Sequence, residues 1–237
     1  MKSLRAYFAL CAAIIALFTV AAAAAAAAAS RIVPTDGEGS GQLIFLDPGH
    51  GGEDGGAISV TGVQESGINL EISLRLRDLL RFCGQRVAMT REGDYAIYDD
   101  GCTTIAQKKS SDLRNRAALL NQNPGAILIS IHQNQFPEAQ YHGAQVFSNR
   151  KDESSALAVL MQDTLRAGLD PENNRQAKTT NGVYLLEHIE NTAILIECGF
   201  LSNREEEAML REEEYQKRIA DTICAGLLEY LEDRSMI

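Results

Sequence analysis

From about residue 42 onward, short aliphatic runs alternate with stretches whose apolar residues recur every three or four positions. The runs "LIFL" (43–46), "RVAMT" (86–90), "AILISIH" (126–132), "AQVFS" (144–148), "VYLL" (183–186) and "AILIE" (193–197) read as strands. Several are near-continuous in apolar character, as a sheet buried on both faces requires. Between them, Ile72, Leu76, Leu79, Leu80 and Cys83 fall on one helical face that Gly84 terminates, and Ser111 or Asp112 can cap a helix running to Leu120. A third helix covers roughly residues 153–167, and Tyr215, Ile219, Ile223 and Leu227 share one face of the last. This alternation predicts an α/β fold, a single domain whose central, mostly parallel or mixed sheet of about six strands is flanked by helices.

The first 41 residues have a different pattern. Lys2 and Arg5 precede an uncharged run from Ala6 to Ala29, so residues 1–29 read as a signal peptide or a retained membrane anchor. The run reaches the roughly 20 residues a bilayer crossing needs, but its second half is nearly all alanine and offers many A-x-A cleavage points. Both readings place the folded part outside the cytoplasm, secreted or attached through residues 6–29. Residues 30–41, "SRIVPTDGEGSG", are a polar, glycine-rich linker, and the folded domain is expected over residues 42–233.

Composition narrows the classes of function. A net charge of −10 with scattered basic residues gives no electropositive footprint for nucleic acid or anionic lipid, and the "REEE" runs at 204–207 and 211–214 read as solvated helix faces. Outside the leader, Cys83, Cys102, Cys198 and Cys224 form no CxxC pair, which argues against a disulfide framework or a zinc finger. Cys83, Cys198 and Cys224 fit as small hydrophobes, and Cys102 as a free thiol in a polar loop.

Chemistry concentrates at strand ends. "LIFLDPGHGGEDGG" (43–56) drives a buried strand into a glycine-rich turn bearing His50, and "AILISIHQN" ends the same way at His132. Ligand sites of open α/β sheets form at such ends. The glycine spacing matches neither G-x-G-x-x-G nor a Gly-Lys-Ser/Thr phosphate loop. Two converging histidines point to a metal, and a catalytic zinc site needs a third protein ligand. Glu65, at the start of a helix, competes for that place with Glu53, Asp54 and Glu71, and spacing does not decide among them; the macrodipole alone would also favour a carboxylate there. Glu197 closes the apolar "AILIE" run, where desolvation would raise its pKa toward the range useful for acid–base work. The structural alternative pairs it with Arg114, Arg116 or Lys178.

Taken together, "LDPGHGGEDGGA", "ESGINLEISLRL", "MTRE", "DLRNRAALLN", "ISIHQN", "NGVYLL" and "ILIECGFLSN" resemble, in order and spacing, the zinc-dependent N-acetylmuramoyl-L-alanine amidases of the amidase_3 type over residues 42–232. The pairing of "GAQVFS" with "NGVYLLEH" is most similar to the germination-type amidases that act on spore cortex. The resemblance implies one Zn2+ held by His50, Glu65 and His132, with Glu197 as catalytic base and peptidoglycan as substrate. It implies cleavage of the bond joining N-acetylmuramic acid to L-alanine. A stem peptide lying across the strand ends would be bound largely by backbone hydrogen bonds, with Asn181 and the glycine-rich loop as contacts, and an envelope or lipoprotein partner for activation is allowed. Departures are Cys198, where relatives often carry valine or threonine, and Gln133, where alanine or leucine is usual. His142 and His188 match no ligand position. A metallopeptidase cutting within the stem peptide would share this chemistry, and a non-catalytic peptidoglycan-binding module would share the groove. The 64 residues between His132 and Glu197 are accounted for by ordinary elements, so an open groove with no inserted plug is expected.

Overall fold

The computed structural model describes residues 41–235; the expected leader and all but the last residue of the linker lie outside the described residues. Strands β1 (Leu43–Pro48), β2 (Arg86–Met89), β3 (Ile127–Asn134), β4 (Gln145–Ser148), β5 (Lys178–Thr179) and β6 (Thr192–Phe200) form one mixed sheet in the order β2-β1-β3-β6-β4-β5. β4 runs antiparallel to β6, and the other pairs are parallel. The helices are α1 (Glu65–Phe82), α2 (Ile105–Asn121), α3 (Asp152–Leu169), α4 (Tyr184–Glu187), α5 (Arg204–Arg211) and α6 (Glu213–Ser235).

The aliphatic runs serve both faces of the sheet. Ile44, Leu46, Ile127, Ile129, Ile131, Ile194 and Ile196 are buried on the side covered by α1, α3 and α6. Phe45, Leu128, Ala193 and Leu195 are buried on the other, against α2 and α4. In α1 the four-residue spacing of Ile68, Ile72, Leu76 and Leu80 makes one buried stripe, and Ile219, Ile223 and Leu227 do the same in α6. Each such side chain stabilises the fold by about 1.5–3 kcal/mol relative to exposure.

Four expectations change. Cys83, read as a small hydrophobe on the apolar face of α1, is instead exposed at the C-cap of that helix. Val183–Leu186 is not a strand: Tyr184–Glu187 form a single helical turn that buries Leu185 and Leu186 against the second core, and a four-residue apolar run cannot by itself distinguish the two outcomes. The remaining strand of the six is instead β5, Lys178–Thr179, two exposed residues at the sheet edge. The helix over residues 105–121 is capped by neither Ser111 nor Asp112 but by Thr104, whose hydroxyl accepts from Gln107 N while the Gln107 side chain accepts from Thr104 N, a complete capping box. The first "REEE" run is also only partly solvated. Glu206 accepts from the amides of Gly143 and Phe200, and Glu207 from Ser59 and Thr61, so both carboxylates are buried and hold loops at the carboxyl edge of the sheet.

Candidate metal centre

β1 ends at Pro48, and the next two residues must turn the chain away from the sheet while aiming a side chain back across it. His50 adopts φ 63°, a left-handed conformation that costs a non-glycine residue energy and persists only where its surroundings impose it. Two buried arginines impose it here. Arg91 donates to the carbonyls of Pro48, Gly49 and Ser66, and Arg116 to those of Pro48 and His50. His50 Nδ1 lies 2.9 Å from Asp54 Oδ2, which fixes the ring so that Nε2 faces Glu65 Oε2 at 3.3 Å. Two glycines make the approach possible: a Cβ on Gly49 would lie 2.2 Å from the His132 ring, and one on Gly56 would lie 2.5 Å from Glu65 Oε2.

Glu65 is the first residue of α1, where its charge also complements the helix dipole. Its Oε2 accepts from Ala57 N, and its Oε1 from Asn69 Nδ2, Gln133 N and, at 2.9 Å, His132 Nδ1. Burial alone would raise its pKa, but the hydrogen bond and charge of His132, with help from His50 and the Ala57 amide, bring it down to about 2. The same pair works in reverse on His132: burial disfavours the imidazolium, and Glu65 outweighs it and raises the pKa. Glu65 thus sits as an anion between two imidazoles, and the ligand atoms of the three side chains all lie within 4.8 Å of one another. Two imidazole nitrogens and a carboxylate are a donor set for a divalent cation of the zinc class, which would take the place that the imidazole protons fill between rings and carboxylate. The residues fit such an ion.

The competing carboxylates are engaged elsewhere: Glu53 binds Lys108, Glu71 binds Arg75, and Asp54 orients His50. Asn69 escaped the sequence reading, although its position one turn after Glu65 was a usable signal. The unusual Gln133 is explained by contact, because its side-chain amide donates to Asn69 Oδ1 and so braces the residue that braces Glu65. Cys198 is buried on the α1 side, and burial pushes its thiol up, so it is a packing residue.

Glu197 is the register partner of His132 in the parallel β3–β6 pair, so both side chains project from the same face. It lines a groove of about 300 Å³ shared with His50, His132, Lys109, Leu113 and Tyr184. Burial drives its pKa up to about 7, with His132 opposing and Glu65 reinforcing. Its Oε2 is buried with no hydrogen-bond partner among the described residues. The structural alternative fails on contacts: Arg116 binds Asp47 and Asp112, Arg114 is exposed, and Lys178 stands exposed in β5. Asn181 lies outside the groove, in a neighbouring cavity of about 510 Å³, and accepts from Arg150 Nε. His142 pairs with Asp170, and His188 stacks on Tyr184. Among the described residues no side chain between positions 133 and 196 joins the three converging ligand atoms.

Comparison with known proteins identifies the family and the fold. The family model for N-acetylmuramoyl-L-alanine amidases, Amidase_3, matches residues 44–229. The germination-specific N-acetylmuramoyl-L-alanine amidase of Bacillus subtilis is 39% identical over 196 residues, 82% of each chain. The structure of the CwlD amidase from Clostridioides difficile in complex with the GerS lipoprotein is 39% identical, with a TM-score of 0.78 over 81% of this chain and 98% of that one. An N-acetylmuramoyl-L-alanine amidase from Clostridium difficile 630 is 31% identical, with a TM-score of 0.70 over 81% and 97%. By sequence and by fold, the chain belongs to the N-acetylmuramoyl-L-alanine amidases of the Amidase_3 family.

Proposed function

We propose that the protein cleaves the amide bond between N-acetylmuramic acid and the L-alanine of the stem peptide, with one Zn2+ held by His50, Glu65 and His132 and with Glu197 as general base. The observation that carries this reading is the pairing of Glu197, a buried carboxylate with a raised pKa and an unpartnered oxygen, with His132 on the neighbouring strand. Zinc bound there would polarise the scissile carbonyl and lower the pKa of a bound water toward about 7. Glu197 takes the proton of the attacking water into its unpartnered position and returns it to the L-alanine amine as that group leaves. Burial matches Glu197 to both tasks, since a base with a pKa near the working pH accepts and releases a proton at similar cost.

The likeness to a germination-specific amidase supports a role in spore-cortex or cell-wall remodelling, performed outside the cytoplasm. One relative was solved with a lipoprotein, which supports an envelope partner for this chain as well. Asn181, in its separate cavity, would contact a distal part of the stem peptide. No helix among the described residues is long and apolar enough to cross a membrane; the uncharged run of residues 6–29 is the segment that would attach the chain to one.

Mass spectrometry of digested peptidoglycan tests the assignment. An amidase releases stem peptides with a free L-alanine amine and leaves intact lactyl carboxylates on the glycan. New termini within the stem peptide would instead mark a metallopeptidase, and undigested wall a binding module.

A further inference from the structure

The loop over residues 135–144, between β3 and β4, carries two rings that the core does not absorb. Phe136 is 45% exposed and Tyr141 40%. With the buried ring of Phe200 they form a cluster whose centroids are 5.5 Å (Phe136–Tyr141), 5.7 Å (Phe136–Phe200) and 6.2 Å (Tyr141–Phe200) apart. The Arg175 guanidinium lies 4.4 Å from the Phe200 centroid and 5.9 Å from that of Tyr141, and is fixed there by donation to His142 O and Gln145 Oε1. Beside Tyr141 opens a cavity of about 330 Å³ lined by Gln140, His142, Glu172, Asn174 and Arg175.

Its position ties this cluster to the reaction. Gln145 is the antiparallel register partner of Glu197, and directly opposed residues in such a pair have Cα atoms about 4.5–5.5 Å apart. Arg175 binds Gln145 and packs on Phe200 and Tyr141, so Gln145 and Arg175 link the rings to the strand position of the proposed base. Flat apolar faces rimmed by amides, a carboxylate and a fixed guanidinium suit a ligand that presents C–H groups on one face and hydroxyl and acetamido groups at its edge. That is the chemistry of an N-acetylated pyranose.

We propose that Phe136 and Tyr141 form a stacking platform for a sugar of the glycan strand that bears the scissile stem peptide. The proposal rests on reading the chain as a muramoyl amidase and adds a glycan subsite to it. The platform would hold the strand in register, so that a muramoyl lactyl group falls opposite Glu197.

Isothermal titration of the full chain with a peptide-free tetrasaccharide of alternating N-acetylglucosamine and N-acetylmuramic acid tests this without catalysis. The wild-type chain should bind saturably, and Phe136→Ala combined with Tyr141→Ala should weaken binding about tenfold or more, as truncation of aromatic anchors does. Phe136→Trp and Tyr141→Phe should keep it. Phe82→Ala, which removes a ring 91% exposed at the far end of α1, should leave the Kd unchanged. An unaltered Kd in a folded double variant, equal weakening by Phe82→Ala, or no binding by the wild type would overturn the proposal. Where thermal unfolding shows the double variant to be misfolded, Tyr141→Ala alone is judged by the same criterion. Wall hydrolysis without tetrasaccharide binding removes the platform and leaves the amidase, whereas binding without hydrolysis supports the platform and removes the amidase.

Discussion

Two groups of buried charge share the carboxyl edge of the sheet, and they are built on opposite terms. Around Asp47 and Arg116 the bonds are made. Asp47 accepts from Arg116, Thr90 and Ser130, and Arg116 also donates to Asp112 and to two carbonyls of the 48–50 turn. Burial alone would raise the Asp47 pKa, but the Arg116 charge and the two hydroxyls outweigh it and bring it down to about 2. Two strands away, Glu197 has a buried oxygen with no partner among the described residues, and burial moves its pKa the other way, up to about 7. The satisfied cluster sets shape, holding His50 in its left-handed conformation. The unsatisfied one keeps a proton-binding position open for a reaction.

Breaking the satisfied cluster should have the largest effect. Arg116→Ala leaves the buried Asp47 without its ion-pair partner and releases the carbonyl of His50, while that of Pro48 keeps only Arg91. Removing one partner of a buried pair costs about 3–5 kcal/mol, which chemical denaturation at neutral pH would read directly. A loss below about 1 kcal/mol would show that the clamp is not structural.

Acidity separates the clusters next. Asp47 has a depressed pKa, so its contribution is fully present above the ordinary value of 3.8 and is lost as pH falls toward about 2. Nearly two pKa units correspond to about 2 kcal/mol of stability. Glu197 has a raised pKa, so in the metal-free chain its neutral form favours the fold below 4.5, and that contribution fades as pH rises through about 7. Activity has the opposite sign, because the base must be ionised. Turnover should fall about tenfold per pH unit on the acid side, from a midpoint at or below about 7, since a bound cation favours the carboxylate. Stability and activity profiles on one preparation check both signs.

The smallest effect belongs to the support of the proposed ligands. Asp54→Asn keeps the shape but weakens the hold on His50 Nδ1, and loss of such a partner typically costs about 10–100-fold in metal affinity. Asp54 is partly exposed, so the low end is expected, measured by zinc titration against a competing chelator.

What the sequence made legible follows from the range of the forces involved. The alternating elements, the two-sided strands and the strand-end positions of His50, His132 and Glu197 are local patterns set by burial and period. The T-x-x-Q of Thr104 and Gln107 was equally local, a readable capping box preferred over Ser111 and Asp112 by the fold. The turn at Tyr184–Glu187 was not readable, because four apolar residues satisfy strand and helix alike until Leu185 and Leu186 find their core. Nor were the clamps of Arg91 and Arg116, or the burial of Glu206 and Glu207, since each depends on loops that close from distant parts of the chain. At the site, spacing left Glu65 among four carboxylates, and only three-dimensional contacts assign the others to Lys108, Arg75 and His50.

The central claim, that the unsatisfied carboxylate is the base and Glu65 a ligand, is tested most directly by metal analysis beside turnover on Glu197→Gln and Glu65→Gln. Glu197→Gln should fold, hold about one zinc per chain and lose about 10²–10⁴-fold in rate, because the amide cannot accept the water proton. Glu65→Gln should lose zinc and activity together. Zinc lost from Glu197→Gln but kept by Glu65→Gln, or normal turnover by Glu197→Gln, would contradict the account.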